Sequence, residues 1–410
     1  EPSPGTGRNP YSAATGIQHP RGGPVGTMRR TILIAAVATL ATVVSGCIPL
    51  DLRHLASDQF AGRNNNSAGG LAARAYIVER LRGTTTGPVV GGTGDAAYTQ
   101  IFAQGANVIG VIQGTVRPDE YVLVGAHYDH HATCGSVAGD TICNGATDNA
   151  AGTAMVLELA DRFAADPPER SVAFVLWDAE EDGLLGSRHY VDNPVIPLAQ
   201  TVAYLNLDIQ GSNLLPTLQT RTFAIGAESG GAVLQDVVAD AYGGTSLQGT
   251  QLSGIFGLYR SDYAPFLGKQ VPTVFFTDST GPCYHTPKDD ELAVDWAKLG
   301  QQVDVLYATA ETLARPGPGG GYATPVWATQ PLTRHGDAVA LQQVITQSLP
   351  DWGRFPQSLL DDITPHITNL DRIVAEGPAA YDDTDQSQLL GAASSLVNMM
   401  TYGDCDPFLP

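Results

Sequence analysis

Basic residues are scarce in this chain. Lys and Arg number 22 against 42 Asp and Glu in 410 residues, a formal net charge of −20. In the first 46 residues Arg8, Arg21, Arg29 and Arg30 stand against Glu1, a net of +3, which leaves −23 on the remainder. Such a chain repels nucleic acid and anionic lipid, so a polyanion-binding role is rejected. Cysteine is scarce as well: Cys47, Cys134, Cys143, Cys283 and Cys405 are the full set, and no CxxC occurs. That argues against a cysteine-held zinc site. The apolar run near the N-terminus, Thr31–Val44, is fourteen residues long, short of what spans a bilayer. There is no internal repeat. What is abundant is apolar material, 43% of residues against 16% charged, enough for a large core.

Met28-Arg29-Arg30 followed by that apolar run has the pattern of a secretory signal. It ends in Val44-Ser45-Gly46-Cys47, which resembles a bacterial lipobox. The expectation is a signal peptide over 28–46, a lipid on Cys47, a tether over 47–53, and an extracytoplasmic, membrane-anchored location. Residues 1–27 are polar, rich in Gly and Pro, and read as lying upstream of the true start. With Cys47 lipidated, four cysteines remain, and an oxidising compartment permits two disulfides. Cys134 and Cys143 lie nine apart and are paired; Cys283 with Cys405 follows by elimination.

The mature chain alternates helices and strands. Helix is expected over His54–Arg82, Asn149–Phe163 and Asp289–Leu313. Strands are expected at 107–113, 121–126, 171–177, 202–207 and 271–276. The run 171–177 is almost continuously apolar, as in a strand buried on both faces. This predicts a three-layer α/β/α sandwich with a mixed, mainly parallel central sheet over 54–314. Arg315-Pro-Gly-Pro-Gly-Gly-Gly321 opens a Pro/Gly-rich linker, 315–332. Helical pieces then form a C-terminal extension over 333–410.

Groups able to hold a metal sit at the ends of the expected strands: His127, Asp148, Glu180, Glu181, Asp208 and His285. In an open α/β sheet those ends line the crevice where ligands bind. Imidazoles and carboxylates together suit zinc.

Gly125-Ala-His-Tyr-Asp-His130, Asn144-Gly-Ala-Thr-Asp-Asn-Ala-Ala-Gly152, Ala179-Glu-Glu-Asp-Gly-Leu-Leu-Gly-Ser187, Asn206-Leu-Asp208 and Tyr284-His-Thr286 resemble, in order, the motifs of metallopeptidase family 28. Any one of them is weak; five in order are specific. The resemblance runs from about His54 to Leu313 and implies a secreted aminopeptidase with two zinc ions acting on peptides. It implies that His127 and Asp208 bind one zinc, Glu181 and His285 the other, and that Asp148 bridges them. Glu180 would be the general base, Tyr284 would polarise the scissile carbonyl, and Asp129 would hold the His127 tautomer. A cis bond between Asp148 and Asn149 is also implied. One departure stands out: relatives often read Arg-Ser-Asp-His-x-x-Phe, whereas Tyr263 holds the histidine position here.

A lone carboxylate is usually solvated and a lone histidine usually packs; ordered motif matching sets those readings aside for the metal set. Tyr284 could simply pack. For His130 and His131 a plain loop role is the expectation, for His189 a structural or solvent-facing helix position, and for Asp178 a turn or supporting role. Competing functions are a carboxypeptidase of the same family, a one-zinc glutaminyl-cyclase-like acyltransferase, and a binding protein that has lost its metals.

Overall fold

The structure, a computed structural model, describes residues 47–85, 87–88, 90–329, 332–403 and 405. The expected signal peptide and the residues before it lie outside the described residues. Among the described residues no helix is long and apolar enough to cross a membrane.

The strands are β1 (Gly87–Pro88), β2 (Thr99–Ile101), β3 (Ala106–Ile112), β4 (Arg117–His127), β5 (Thr133–Val137), β6 (Asp140–Ile142), β7 (Arg170–Trp177), β8 (Thr201–Leu207), β9 (Arg221–Ile225), β10 (Gln248–Leu252) and β11 (Thr273–Thr277). Nine of them form one sheet in the order β1-β3-β7-β4-β8-β11-β9-β10, with β2 also on β3, while β5 and β6 pair separately. The centre, β7-β4-β8-β11, is parallel throughout. The antiparallel ladders flank it, β3 on one side and β9 on the other.

The helices are α1 (Cys47–Leu55), α2 (Ala68–Thr84), α3 (Ala151–Ala165), α4 (Leu185–Asp192), α5 (Gly231–Tyr242), α6 (Tyr263–Gly268), α7 (Trp296–Ala314), α8 (His335–Ser348), α9 (Gln357–Glu376) and α10 (Asp383–Met400). Strand alternation divides the apolar residues between two faces. In β7, Val172, Phe174 and Leu176 join one core with Leu52, Ile77, Leu157, Val238 and Leu306 of α1, α2, α3, α5 and α7. Ala173, Val175 and Trp177 join the other with residues of α4, α6 and α8–α10. All eight residues of β7 are buried, which is why its stretch from Val172 to Trp177 is continuously apolar rather than alternating.

The C-terminal helices are not a separate lobe. Leu341, Ile373, Leu389 and Leu396 share a core with Ile225, Leu252 and Phe275 of the sheet. The Pro/Gly-rich stretch before them is strapped to the sheet. The Arg170 guanidinium donates to the carbonyls of Leu313 and Ala323 and to Thr324 Oγ1, each at 2.7 Å.

The single helix expected over His54–Arg82 is two helices with a break. Gly62 and Arg63 both adopt positive φ, 76° and 56°. A Cβ on Gly62 would lie 2.0 Å from the His131 carbonyl oxygen, and Asn64-Asn65-Asn66 favours turn geometry. Ser67 then caps α2 by accepting from Gly70 N. The long segment expected from Asp289 likewise begins as helix only at Trp296, where Asp295 caps the Lys298 amide.

At the start of α3 the backbone packs tightly under the sheet's ligand-bearing edge. Asn149 Nδ2 donates to Leu207 O (2.8 Å), and Asn149 Oδ1 accepts from Gly152 N (3.2 Å). A Cβ on Gly152 would fall 2.2 Å from that oxygen and 3.2 Å from Ala126 Cβ. Gly152→Ala is expected to destabilise the protein by about 1–3 kcal/mol through overpacking, read as a lower urea midpoint; an unchanged midpoint would contradict this packing.

Candidate metal centre

Four adjacent parallel strands deliver the polar groups to one edge of the sheet. His127 ends β4, Glu180 and Glu181 follow β7, Asp208 follows β8, and Tyr284 and His285 lie on the loop after β11. Asp148 stands at the approach to α3, and its bond to Asn149 is cis. His127 Nε2 lies 3.2 Å from Asp148 Oδ1 and 3.3 Å from Asp208 Oδ1. His285 Nε2 lies 3.2 Å from Asp148 Oδ2 and 3.2 Å from Glu181 Oε2. The two oxygens of Asp148 therefore face two different imidazoles.

These separations match the edge of a tetrahedron of donors around zinc, about 3.3 Å for bonds near 2.0 Å. His285 Nε2 is buried and makes no hydrogen bond to either carboxylate it faces. Donor atoms that converge in this way are placed to share a common centre, and of the four pairs only His127 Nε2 with Asp208 Oδ1, at 3.3 Å, meets hydrogen-bond geometry. Two groups among the described residues have the density of donors a metal needs: His127, Glu180 and Asp208, and His130, Asp148, Glu181 and His285. The donor set suits zinc.

His130 was expected to be a plain loop residue, yet it is fully buried and its Nδ1 meets Glu181 Oε1 at 2.6 Å. That is a hydrogen-bond length, shorter than a ligand–ligand edge, so His130 grips the oxygen of Glu181 that does not face His285. His131 reaches Glu181 Oε2 at 3.1 Å. The only sequence signal was the adjacency of both histidines to His127-Tyr-Asp.

Asp129 differs from expectation in its means. Its backbone carbonyl, 3.0 Å from His127 Nδ1, accepts the imidazole proton. Its carboxylate, 3.8 Å from that nitrogen, instead accepts from the backbone amides of Glu180 (3.0 Å) and Glu181 (3.3 Å). One residue thus sets the His127 tautomer and fixes the turn that splays the glutamate pair. Asp178 braces the neighbouring loop by accepting from Ala106 N and Ala179 N. His189, on α4, stacks on Phe102. Tyr263 is buried; its hydroxyl donates to Gly254 O and accepts from Tyr259 N. The tyrosine at the histidine position therefore holds the loop bearing Phe256, Leu258 and Arg260, which line the crevice.

Two supporting residues carried no sequence signal. Asp289, fully buried, accepts from Thr147 N, Thr147 Oγ1 and Asp148 N at 2.8–3.1 Å, which orients the Asp148 turn. Arg63, also fully buried, donates to the carbonyls of Tyr128, Leu55, Asn144 and Gly145 at 2.6–3.0 Å. These stitch together the loops that carry Asp129 and Asp148.

Electrostatics follow from burying so many acids. Burial, with Asp208, Asp262 and Glu181 nearby, pushes the Glu180 carboxyl well above its usual range. Burial pushes Asp208 up as well, against the pull of His127. Burial and the Glu181 charge oppose ionisation of Asp148, and His130, His127 and His285 outweigh them, so it lies below the usual range. Burial opposes charge on His285, yet Asp148 and Glu181 push it up to about 10. Burial and the surrounding carboxylates push the Tyr284 phenol up, so it stays protonated and able to donate.

The expected disulfides, Cys134–Cys143 and Cys283–Cys405, are both present. The second joins the residue before Tyr284 to the far end of the chain.

An α/β sheet with paired imidazole–carboxylate clusters at its carboxyl edge defines a metal-centred protein of the crevice type. Residues 107–310 match the family model described as peptidase family M28, and through that segment the chain belongs to this metallopeptidase family. A stretch of 221 residues is 29% identical to an aminopeptidase of Bacillus subtilis, covering 52% of this chain and 45% of that protein. Another of 114 residues is 38% identical to a probable glutamate carboxypeptidase of Arabidopsis thaliana, covering 26% of this chain and 15% of that protein. The chain thus spans less than half the length of these curated relatives. The fold is similar to that of the LapA aminopeptidase of Legionella pneumophila, with TM-score 0.52 and 18% identity over 73% of this chain and 78% of that one.

Arg63→Met is expected to leave four inward carbonyls without a donor and to cost at least about 3 kcal/mol, measured from urea denaturation. A loss below about 1 kcal/mol, the worth of one ordinary hydrogen bond, would show that the stitching is dispensable.

Proposed function

We propose that the chain is a di-zinc aminopeptidase. The observation that carries this reading is Asp148, whose two oxygens face His127 and His285 at 3.2 Å each. A carboxylate so placed suits a bridge between two ions. In this reading His127 and Asp208 hold one zinc, Glu181 and His285 the other, and Asp148 both. When bound, the pair would supply a water of lowered pKa and a Lewis acid for the scissile carbonyl.

The chain's own groups then divide the work. Glu180, raised by its dry and acidic surroundings, takes the proton of the attacking water and returns it to the leaving amine. Tyr284, kept protonated, donates to the carbonyl oxygen as negative charge develops there. Asp129 and His130 hold the glutamate turn and Glu181 in place, so these groups need not reorganise during the reaction.

The acidic lining of the crevice is Asp148, Glu180, Glu181 and Asp208, with Arg260 the only cationic residue among the described residues that line it. That excess favours a substrate's free amine over a terminal carboxylate. Arg260 also supports the second reading, a carboxypeptidase. Retention of both imidazole–carboxylate pairs speaks against the metal-free binder and only weakly against the one-zinc cyclase, which keeps several of the same ligands. We further infer that Cys47 carries a lipid that anchors the chain to a membrane outside the cytoplasm; the disulfides are in keeping with an oxidising compartment.

Glu180→Gln should keep about two zinc ions per chain by metal analysis and lose about 10²–10⁴-fold in kcat. Activity within about twofold of the unaltered protein would remove Glu180 from the base role. A separate comparison sets a free aminoacyl anilide against its N-acetyl form and an N-blocked dipeptide with a free C-terminus. The free anilide should be cleaved fastest; faster cleavage of the blocked dipeptide would make the enzyme a carboxypeptidase while leaving the di-zinc hydrolase standing.

A further inference from the structure

The crevice beside the carboxylates has a volume of about 70 Å³. At its acidic end stand Asp148, Glu180, Glu181 and Asp208; away from them the wall turns apolar, with Ile225, Phe256, Phe275 and Val397. Val397 belongs to α10, 87 residues beyond the end of the segment matched by the family model at 310. The C-terminal helices therefore reach the crevice itself.

Behind this wall lies a second hollow of about 80 Å³. Its lining is almost wholly apolar, Phe223, Leu252, Val344, Leu396 and Met400 among it. The two spaces have four lining residues in common: Ile225, Phe256, Ser279 and Val397. These four form the partition. Ile225 ends β9, Phe256 lies on the loop held by Tyr263, and Ser279 follows β11. All three are set by the sheet and its loops, whereas Val397 is set by how α10 packs. Protein interiors are ordinarily filled to crystal density. An apolar hollow of this size, divided from the reaction crevice by four side chains of which only Val397 comes from a C-terminal helix, has room to admit an apolar group.

We propose that Val397 is a specificity-determining residue: α10 closes the far end of the pocket that receives the side chain of the N-terminal residue, and the hollow behind it is the pocket's latent extension. The substrate class is peptides with an apolar N-terminal residue, the length admitted being limited by Val397. This rests on the aminopeptidase reading. Each further methylene buried in such a pocket is worth about fourfold in affinity, so opening the partition changes the ranking of long side chains against short ones.

The test is the ratio of kcat/KM for the 2-aminooctanoyl anilide to that for the alanyl anilide. In Val397→Ala the ratio is expected to rise about tenfold; in Val397→Trp it should fall. A change of threefold or more in these directions supports the proposal, and a smaller change or the opposite direction overturns it. Val397→Met, also expected to lower the ratio, replaces either variant should that variant fail to fold, with the same threshold. If the unaltered protein cleaves no free aminoacyl anilide, the aminopeptidase reading has failed on its own account. The pocket is then judged by calorimetric binding of n-octylamine against n-butylamine to the zinc-loaded protein and the same variants. A preference for octylamine that shifts threefold or more with residue 397, up in Val397→Ala and down in the bulkier variant, upholds the extension; any other result overturns it.

Discussion

Everything at the centre of this protein follows from the burial of negative charge. Asp129, Asp148, Glu180, Asp208, Asp262 and Asp289 are buried, and the Glu181 side chain is only 8% exposed. Carboxylates taken out of water are strongly disfavoured unless paired or bonded to donors. The chain meets this in three ways. Backbone amides of Thr147, Asp148, Glu180 and Glu181 satisfy Asp289 and Asp129. Imidazoles face Asp148, Glu181 and Asp208. The buried guanidinium of Arg63 lies beneath, its own pKa lowered by burial to about 10 despite the surrounding acids. Dications at the two imidazole–carboxylate clusters would complete the balance, so the same charge that is a liability for folding is a resource for binding metal.

The parallel sheet makes that concentration possible. Parallel strands present their carboxyl ends on one side, so four neighbouring strands deliver ligands to one crevice without long excursions. Asp129 illustrates the economy. Its backbone reaches His127 at the end of β4, and its carboxylate reaches the amides that follow β7. A mutation there would disturb His127 and the glutamate pair at once.

What was legible in the sequence was what repeats in a pattern or sits in an ordered motif. The central strands were legible because they are apolar and buried, and the residues that converge at the crevice because five motifs occur in order. The edge strands were not. β10, Gln248–Leu252, carries Gln248, Gly249, Thr250 and Gln251, with no apolar alternation to mark it. α9 holds Pro365 within its span, which reads as a breaker, although that proline is exposed and lies among well-packed Ile363, Leu370 and Ile373. Arg63 and Asp289 were invisible for a different reason. Their function is to satisfy backbone groups far away in the chain, and no local spacing encodes a partner 65 to 142 residues distant. His130 lay in plain view beside a ligand, yet only its 2.6 Å contact with Glu181 separates it from a bystander.

The end of the chain changes how the site is to be understood. Family resemblance covers the sheet and its ligand loops, while α8–α10 lie beyond the matched segment. Those helices share one apolar core with β9, β10 and β11, and Cys405 is joined to Cys283, immediately before Tyr284 and His285. The loop that carries Tyr284 and His285 is thus tied to the segment that follows α10, the helix that lines the crevice. Substitutions in the core beneath α10 can therefore act on the reaction crevice along two routes, through the position of Val397 and through the covalent tie to the Tyr284 loop. A chemistry shared across the family can in this way be coupled to a pocket shape particular to this chain, because the wall and the ligand loop rest on the same packed helix.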